Sequence, residues 1–213
     1  MIKPGLAVVI SSPSGTGKTT ICHRLIGDYG DYQFSVSATT RQPRGEEKDG
    51  VDYYFMAEDE FLKSRTSGKF IETAQYLNCW YGTPLAPLEK AVDQGKIILL
   101  DIDVQGGKSI KDVLPQAVMI FLVPPGAAEL EKRLSGRKTE DQSRIKKRLD
   151  MSIKELGVWI EYDYIIVNDD LDRAVSDVHE IIKAERHKTS RLADKKYWKK
   201  SLIELLGLNG NRR

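Results

Sequence analysis

The segment Ser12-Pro13-Ser14-Gly15-Thr16-Gly17-Lys18-Thr19-Thr20 lies between an apolar run, Leu6-Ala7-Val8-Val9-Ile10, and a stretch with helical spacing at Ile21, Leu25 and Ile26. Strand, glycine-rich turn and helix opening on Gly-Lys-Thr form the phosphate-binding loop of nucleoside-triphosphate enzymes. Glycines let the backbone wrap closely enough to aim successive N–H groups at phosphate oxygens, and the helix N-terminus adds partial positive charge. Lys18 is expected to reach the β- and γ-phosphates, and the Thr19 hydroxyl to sit on Mg²⁺. Ser12 stands where the general pattern has its first glycine. A plain glycine-rich turn is the competing reading, and the flanking strand and helix weigh against it.

A loop of this kind demands a parallel sheet around it. Five runs read as strands: Leu6–Ile10, Gln33–Ser37, Lys96–Leu100, Ala117–Val123 and Tyr164–Val167. Four are almost unbroken Val/Ile/Leu, as in strands buried on both faces. Helical patterns fall between most of them, at Gly17–Asp28, Val104–Val113, Glu129–Leu134 and Leu171–Ala184. The fold class expected is therefore α/β, a phosphate-loop type of parallel sheet with helices on both faces.

Two stretches break the alternation. Ser37–Gly95 carries a strand-like piece at Val51–Phe55, a helix around Glu58–Ser67, a short strand near Phe70-Ile71 and a helix over Pro84–Gln94, and reads as an inserted subdomain. Gly136–Gly157 is polar and then helical, with Ile145, Leu149, Ile153 and Leu156 on one side and Arg144, Lys147 and Arg148 opposite, the pattern of a mobile cover. A single domain over 1–213 results: core 1–36, 96–125 and 158–192, an inserted subdomain 37–95, a lid 126–157 and a basic extension 193–213.

Further chemistry is expected where strands end. Ser37-Ala38-Thr39-Thr40-Arg41-Gln42-Pro43-Arg44 follows the second strand, and its two arginines with neighbouring hydroxyls suit a second phosphate, a solvated loop being the alternative. Asp101 closes an Ile-Ile-Leu-Leu strand, where an acid can support Mg²⁺ through water or cap the following helix. Asp103 is better placed for the cap. Glu72 after Phe70-Ile71 reads alone as the solvent face of an edge strand. Asn168 and Asp169 after the last strand read alone as a strand-ending turn. His23, His179 and His187 fall in no motif and are expected to be structural or superficial.

In combination these segments resemble the guanylate kinase family, over roughly Gly5 to Leu192. The resemblance rests on the loop at Ser12–Thr19, Ser37–Arg44, Asp52-Tyr53, Phe70-Ile71-Glu72, Tyr81-Gly82-Thr83, the run Ile98–Gly106, Gly136-Arg137 and Val167-Asn168-Asp169. It implies transfer of the γ-phosphoryl group of ATP to GMP. Arg41, Arg44, Tyr53 and Tyr81 would grip the GMP phosphate, and Ser37, Glu72, Thr83 and Asp103 would read guanine. Arg137 and Arg148 would close over the transferring group beside Lys18 and Arg41, with Arg144 one turn away. Asn168 and Asp169 would meet adenine. Guanine's edge shows one acceptor and two donors, so a carboxylate and a hydroxyl complement it, whereas adenine leaves such a carboxylate unpaired. No general base stands out, because the accepting phosphate oxygen is already anionic. Cys79-Trp80 departs from the Asn-Tyr common before Tyr-Gly in relatives. A non-catalytic guanylate-kinase-like binding module and a kinase of a phosphorylated sugar are the alternatives. Gly17-Lys18-Thr19 with Arg41 counts against the first, and Glu72, Tyr81 and Thr83 together count against the second.

Composition bounds the partners. Two cysteines among 213 residues make no disulfide framework or metal spacing. No apolar stretch approaches the ~20 residues that span a bilayer. Met1–Gly5 runs straight into a strand, leaving no room for a signal peptide, so a cytoplasmic enzyme is expected. Net charge is +2, yet from Arg186 onward nine Lys/Arg face two Asp/Glu, a local +7 that leaves the body at −5. Trp198, Leu202, Leu205 and Leu206 form an apolar stripe in that tail with Lys195, Lys196, Lys199 and Lys200 alongside. Docking on the chain's own body or in a homodimer is the reading preferred over a membrane or nucleic-acid partner.

Overall fold

The computed structural model describes residues 5–76, 78–135 and 142–191, without the side chains of 76, 105, 108 and 142–148. In chain order the elements are β1 (Leu6–Ser11), α1 (Lys18–Asp28), β2 (Tyr32–Phe34), β3 (Ala38–Thr39), β4 (Tyr54–Phe55), α2 (Glu58–Thr66), β5 (Phe70–Tyr76), β6 (Cys79–Pro84) and α3 (Leu85–Asp93). They continue as β7 (Ile97–Asp101), α4 (Val104–Val113), β8 (Val118–Val123), α5 (Ala127–Ser135), α6 (Gln142–Leu156), β9 (Tyr164–Val167) and α7 (Leu171–Glu185). Arg137 and the C-terminal extension from 193 lie outside the described residues.

Alternation of side chains along β1 divides the core in two. Leu6, Val8 and Ile10 face α1 and α7, packing with Leu25, Val178 and Ile182. Ala7 and Val9 face the other way, onto Leu88 and Ala91 of α3 and Ile110 of α4. A strand buried on both faces must be apolar at every position, which is why β1, β7 and β8 read as unbroken runs. The main sheet is parallel, in the order β2-β7-β1-β8-β9. From β1 the chain crosses to one side and returns through β7, then passes to the other side with β8. The C-terminal ends of β1 and β7 therefore meet at the switch of direction, where open α/β sheets bind ligands.

Three expectations are corrected. β9 is not buried on both faces: Ile165 and Val167 are 50% and 45% exposed, because it is an edge strand covered by α7 on one face only. The insertion between β2 and β7 is richer than expected, a second sheet ordered β4-β3-β6-β5 in which β5 extends to Tyr76 against β6. On α6, Ile153 is exposed whereas Ser152 is buried, so the packed side is displaced from the expected apolar stripe and carries Glu155 inward.

Leu99 of β7 is fully buried. Leu99→Ala is expected to cost about 2–5 kcal/mol in urea unfolding, whereas Ile165→Ala on the open face should cost under about 1.5 kcal/mol.

Candidate active site

The loop after β1 needs its glycines for geometry. Gly15 and Gly17 have φ of 87° and 91°, in the left-handed region that L side chains rarely adopt. A Cβ at Gly17 would also lie 2.7 Å from Asn168 Nδ2, and one at Gly15 2.9 Å from Leu134 Cδ2. Asn168 Nδ2 donates to Thr16 O at 2.6 Å, and Arg133 bonds Asn168 O at 3.1 Å. Thr16 Oγ1 donates to Pro13 O. These bonds hold the loop from behind. Helix α1 opens at Gly17 with no side-chain cap and no acid in its first turn, so its own sequence puts no anion at its positive end.

Pairing of Ile10 with Asp101 brings the first βα turn beside the end of β7. Lys18 Nζ lies 2.9 Å from Asp101 Oδ1 and donates to Ile102 O at 2.7 Å. Thr19 Oγ1 donates to Asp101 Oδ2 at 2.6 Å. Asp103 caps α4, its Oδ1 accepting from Gly106 N at 2.8 Å, as expected of a residue before that helix. Asp101 makes no such cap: its carboxylate is committed to Lys18 and Thr19.

The second sheet carries the other set. Arg41 donates through Nη1 and Nη2 to Glu47 at 2.9 and 3.0 Å, and its Cζ lies 5.2 Å from the centre of the Tyr53 ring. Tyr81 sits edge-on to Tyr53 with centres 6.1 Å apart. Arg44 is exposed, its N–H donating to Glu47 Oε2 at 2.7 Å. Thr83 Oγ1 donates to Glu72 Oε1 at 2.7 Å, and Thr83 is almost wholly buried. Burial raises the Glu72 pKa above the ordinary carboxylate range, and the nearby Asp103 charge adds to the effect. Glu72 lies where the β5–β6 register slips between Phe70 and Thr73, and such irregularities re-aim side chains.

The phosphate loop, Asp101, Asp103 and, from the second set, Glu47 and Tyr53 line one cleft of about 880 Å³. Ser12 to Thr20 line it, with Ser37, Glu47, Tyr53, Asp101 and Asp103 among the other lining residues. Arg41 and Tyr81 adjoin this lining, Arg41 through Glu47 and Tyr53, and Tyr81 through Tyr53, while Glu72 and Thr83 pair with each other.

The guanylate kinase family model matches residues 5–185. The chain belongs to the guanylate kinase family. It is 42% identical over 190 residues to the guanylate kinase of Clostridioides difficile (strain 630), covering 89% of this chain and 93% of that one. With the guanylate kinase of Cereibacter sphaeroides it shares 43% identity over 213 residues, 99% of this chain and 98% of the relative. The crystal structure of guanylate kinase from Anaplasma phagocytophilum superposes with a TM-score of 0.71 at 35% identity, covering 89% of this chain and 90% of that one.

Within this family framework the structure adds groups that sequence reading missed. Glu47 is one, in a charged loop with no periodicity to mark it. Glu155 of α6 is another: it lines the cleft and accepts from Ser14 N–H, and burial raises its pKa. Arg133 is the third, with Asn168, as a brace of the loop. Asp169 pairs with Arg173 one helical turn on. Arg148 lies in α6, but its side chain is outside the described residues, as is that of Arg144; Arg137 is outside altogether. Trp80, at the departure from the family pattern, packs on Phe61 and under Arg65, whose Cζ is 4.6 Å from its ring centre. His23 lines the cleft but stacks on Phe34, and His179 stacks on Tyr29 and bonds the Tyr32 hydroxyl at 2.8 Å.

Proposed function

We propose that this chain transfers the γ-phosphoryl group of ATP to GMP, giving ADP and GDP, within the one cleft between the phosphate loop and the second sheet. The observation that supports this reading is one cleft lined by Lys18 with its loop and by Ser37, Tyr53 and Glu47, the last two in contact with Arg41. We assign residues 37–95 as the GMP-binding subdomain, 126–157 as the lid, and the remainder up to 192 as the core.

In this reading the N–H groups of Ser14 to Thr20 and the ammonium of Lys18 hold the β- and γ-phosphates of ATP, with Asn168 and Asp169 toward its base. Arg41, Arg44, Tyr53 and Tyr81 hold the GMP phosphate, while Ser37, Glu72, Thr83 and Asp103 read guanine. Lys18 exchanges part of its bond with Asp101 for phosphate oxygen, and Arg41 offers an edge of its guanidinium to the acceptor. The accepting oxygen needs aim more than deprotonation, so the chain's work is alignment and cancellation of charge repulsion. Arg137 and Arg148 are assigned to that cancellation from the family resemblance.

The residues fit Mg²⁺. Thr19 and Asp101 offer hard oxygen donors at the phosphate end. Among the described residues no cluster of three or more His, Cys, Asp or Glu could cage a metal. That suits an ion held chiefly by nucleotide phosphates and water. Mg²⁺ supplies neutralisation of phosphate charge. No described helix is long and apolar enough to cross a membrane, and a cytoplasmic setting with ATP and GMP as small-molecule partners accords with the reading.

A coupled assay of ADP formation with GMP, AMP or no acceptor tests it. GMP is expected to exceed AMP in kcat/KM by about 10⁴-fold or more, as for sites that hydrogen-bond a distinguishing group. Equal turnover of AMP would remove guanine selectivity, and no turnover with any acceptor would favour the non-catalytic binding module.

A further inference from the structure

We propose that Glu47 is a positioning residue for the acceptor: by taking both terminal nitrogens of Arg41, its carboxylate turns the Nε edge of that guanidinium to the phosphate of GMP. The inference rests on the reading of GMP as the acceptor and adds to it a residue that touches no substrate.

The geometry is that of a closed clasp. Glu47 Oε1 accepts from Arg41 Nη2 at 3.0 Å, and Oε2 accepts from Arg41 Nη1 at 2.9 Å and from Arg44 N at 2.7 Å. The Glu47 N–H donates back to Arg44 O at 3.1 Å, and Arg41 Nη1 also reaches Gln42 O at 2.7 Å. A guanidinium has two edges able to meet an anion in paired fashion, the Nη1–Nη2 end and the Nε–Nη2 side. Glu47 takes the end, and what remains of the guanidinium is shared with the Tyr81 hydroxyl, itself assigned to the same phosphate. The tilt of the plane is fixed by Tyr53 and Phe55, whose ring centres lie 5.2 and 5.8 Å from Arg41 Cζ. Arg41's side chain is only 10% exposed, so the pair is held in one arrangement rather than sampling solvent.

Glu47 lines the cleft and is the more exposed member of the pair. The pair remains ionised: Arg41 raises its own pKa by bonding Glu47, and Arg41 with the Arg44 N–H lowers that of Glu47. Pairing costs attraction, because a guanidinium beside a carboxylate is nearly neutral at a distance. What it supplies is aim. A free arginine loses considerable rotamer freedom when it grips a phosphate, and one already pinned does not. The two effects differ in sign. If charge alone mattered, neutralising Glu47 would tighten GMP binding; if aim matters, it loosens it.

The test is steady-state kinetics of the full chain as E47Q, with guanosine as a competitive inhibitor lacking the phosphate. We expect KM for GMP to rise about 10-fold with kcat and the ATP KM within about twofold, the pattern of lost binding rather than lost chemistry. Guanosine inhibition should be unchanged. In an Arg41→Lys background E47Q should add less than about twofold, because the effect passes through the guanidinium. An unchanged or lowered GMP KM overturns the proposal, the latter showing that Glu47 is an anion the phosphate must displace. Equal weakening of guanosine and GMP overturns it as well, as a general loosening of the pocket. If E47Q does not accumulate as folded protein, E47D keeps the charge while shortening its reach, and the same selective rise or its absence decides. Wild-type turnover of GMP is the control that separates failure here from failure of the acceptor assignment.

Discussion

Lys18→Ala is expected to lower kcat by about 10²–10³-fold, the loss typical of removing one charge-stabilising donor from a transition state. The ammonium stands 2.9 Å from Asp101 and 2.7 Å from Ile102 O, with side-chain exposures of 17% for Lys18 and 11% for Asp101. It is thus aimed from the helix start across the mouth of the loop, where the γ-phosphate would lie. Phosphoryl transfer spreads negative charge over the moving group, so this cation matters more in the transition state than in the bound nucleotide. Alanine leaves Asp101 with the Thr19 hydroxyl at 2.6 Å and access to water, so the fold should lose only about 1–2 kcal/mol. Coupled ADP assays beside thermal unfolding separate the two effects: turnover falls by orders of magnitude while the midpoint moves by about 2–8 °C. Near-normal turnover would place the nucleotide elsewhere in the molecule.

The parts of this architecture that a sequence displays are those governed by local rules. β1, β7 and β8 are apolar at successive positions because both their faces are buried, and α4 runs over Val104–Val113 as its pattern and its Asp103 cap indicate. The phosphate loop is equally visible, since its chemistry lies in consecutive backbone groups. The second sheet is visible only in part: β4 and the start of β5 fall within the pieces read at Val51–Phe55 and Phe70-Ile71, but β3 has two residues, too few to show any period, and β6 is Cys-Trp-Tyr-Gly-Thr-Pro, with glycine and proline in it. Pairing with β5 makes β6 a strand, and that partner's later residues, Glu72 to Tyr76, are too polar to announce themselves. Exposure of one face of β9 depends on which helices cover it, a tertiary fact.

The same division holds at the site. Arg41, Tyr53, Glu72, Tyr81 and Thr83 are individually ordinary residues, and only their joint order along the chain points to a nucleotide. Glu47 and Glu155 escape because each matters through a contact that no periodicity marks, Glu47 with Arg41 and the Arg44 N–H of its own loop and Glu155 with the distant Ser14 N–H. Asn168 is visible as a motif residue, but its described work is bracing Thr16 from behind the loop, which no linear pattern encodes.

Glu72→Gln should lower kcat/KM for GMP by about 10²–10³-fold, the cost of setting an amide donor against a buried donor of the base, while the ATP KM stays within about twofold. Glu72 is held at its Oε1 by the Thr83 hydroxyl, 2.7 Å away, so its rotamer is set before any base arrives. Ionised, it can accept from both N1–H and the 2-amino group of guanine; glutamine keeps one acceptor and presents N–H where an acceptor is needed. Burial raises the Glu72 pKa, so the group binds its proton more tightly in the folded chain than unfolded. By linkage its contribution to stability is greatest in acid and declines as pH rises through the raised pKa, so at neutral pH the buried charge works against the fold. E72Q should therefore unfold no more easily than the wild type at pH 7, and its loss must be one of recognition. The same shift sets a pH signature. In the wild type, kcat/KM for GMP should fall on acidification beginning above the ordinary glutamate range, because the protonated acid has lost one of its two acceptors. E72Q should lack that limb. An unchanged preference for GMP over AMP in E72Q, or an identical acid limb in both proteins, would take Glu72 out of guanine recognition and leave Asp103 as the other acid assigned to the base.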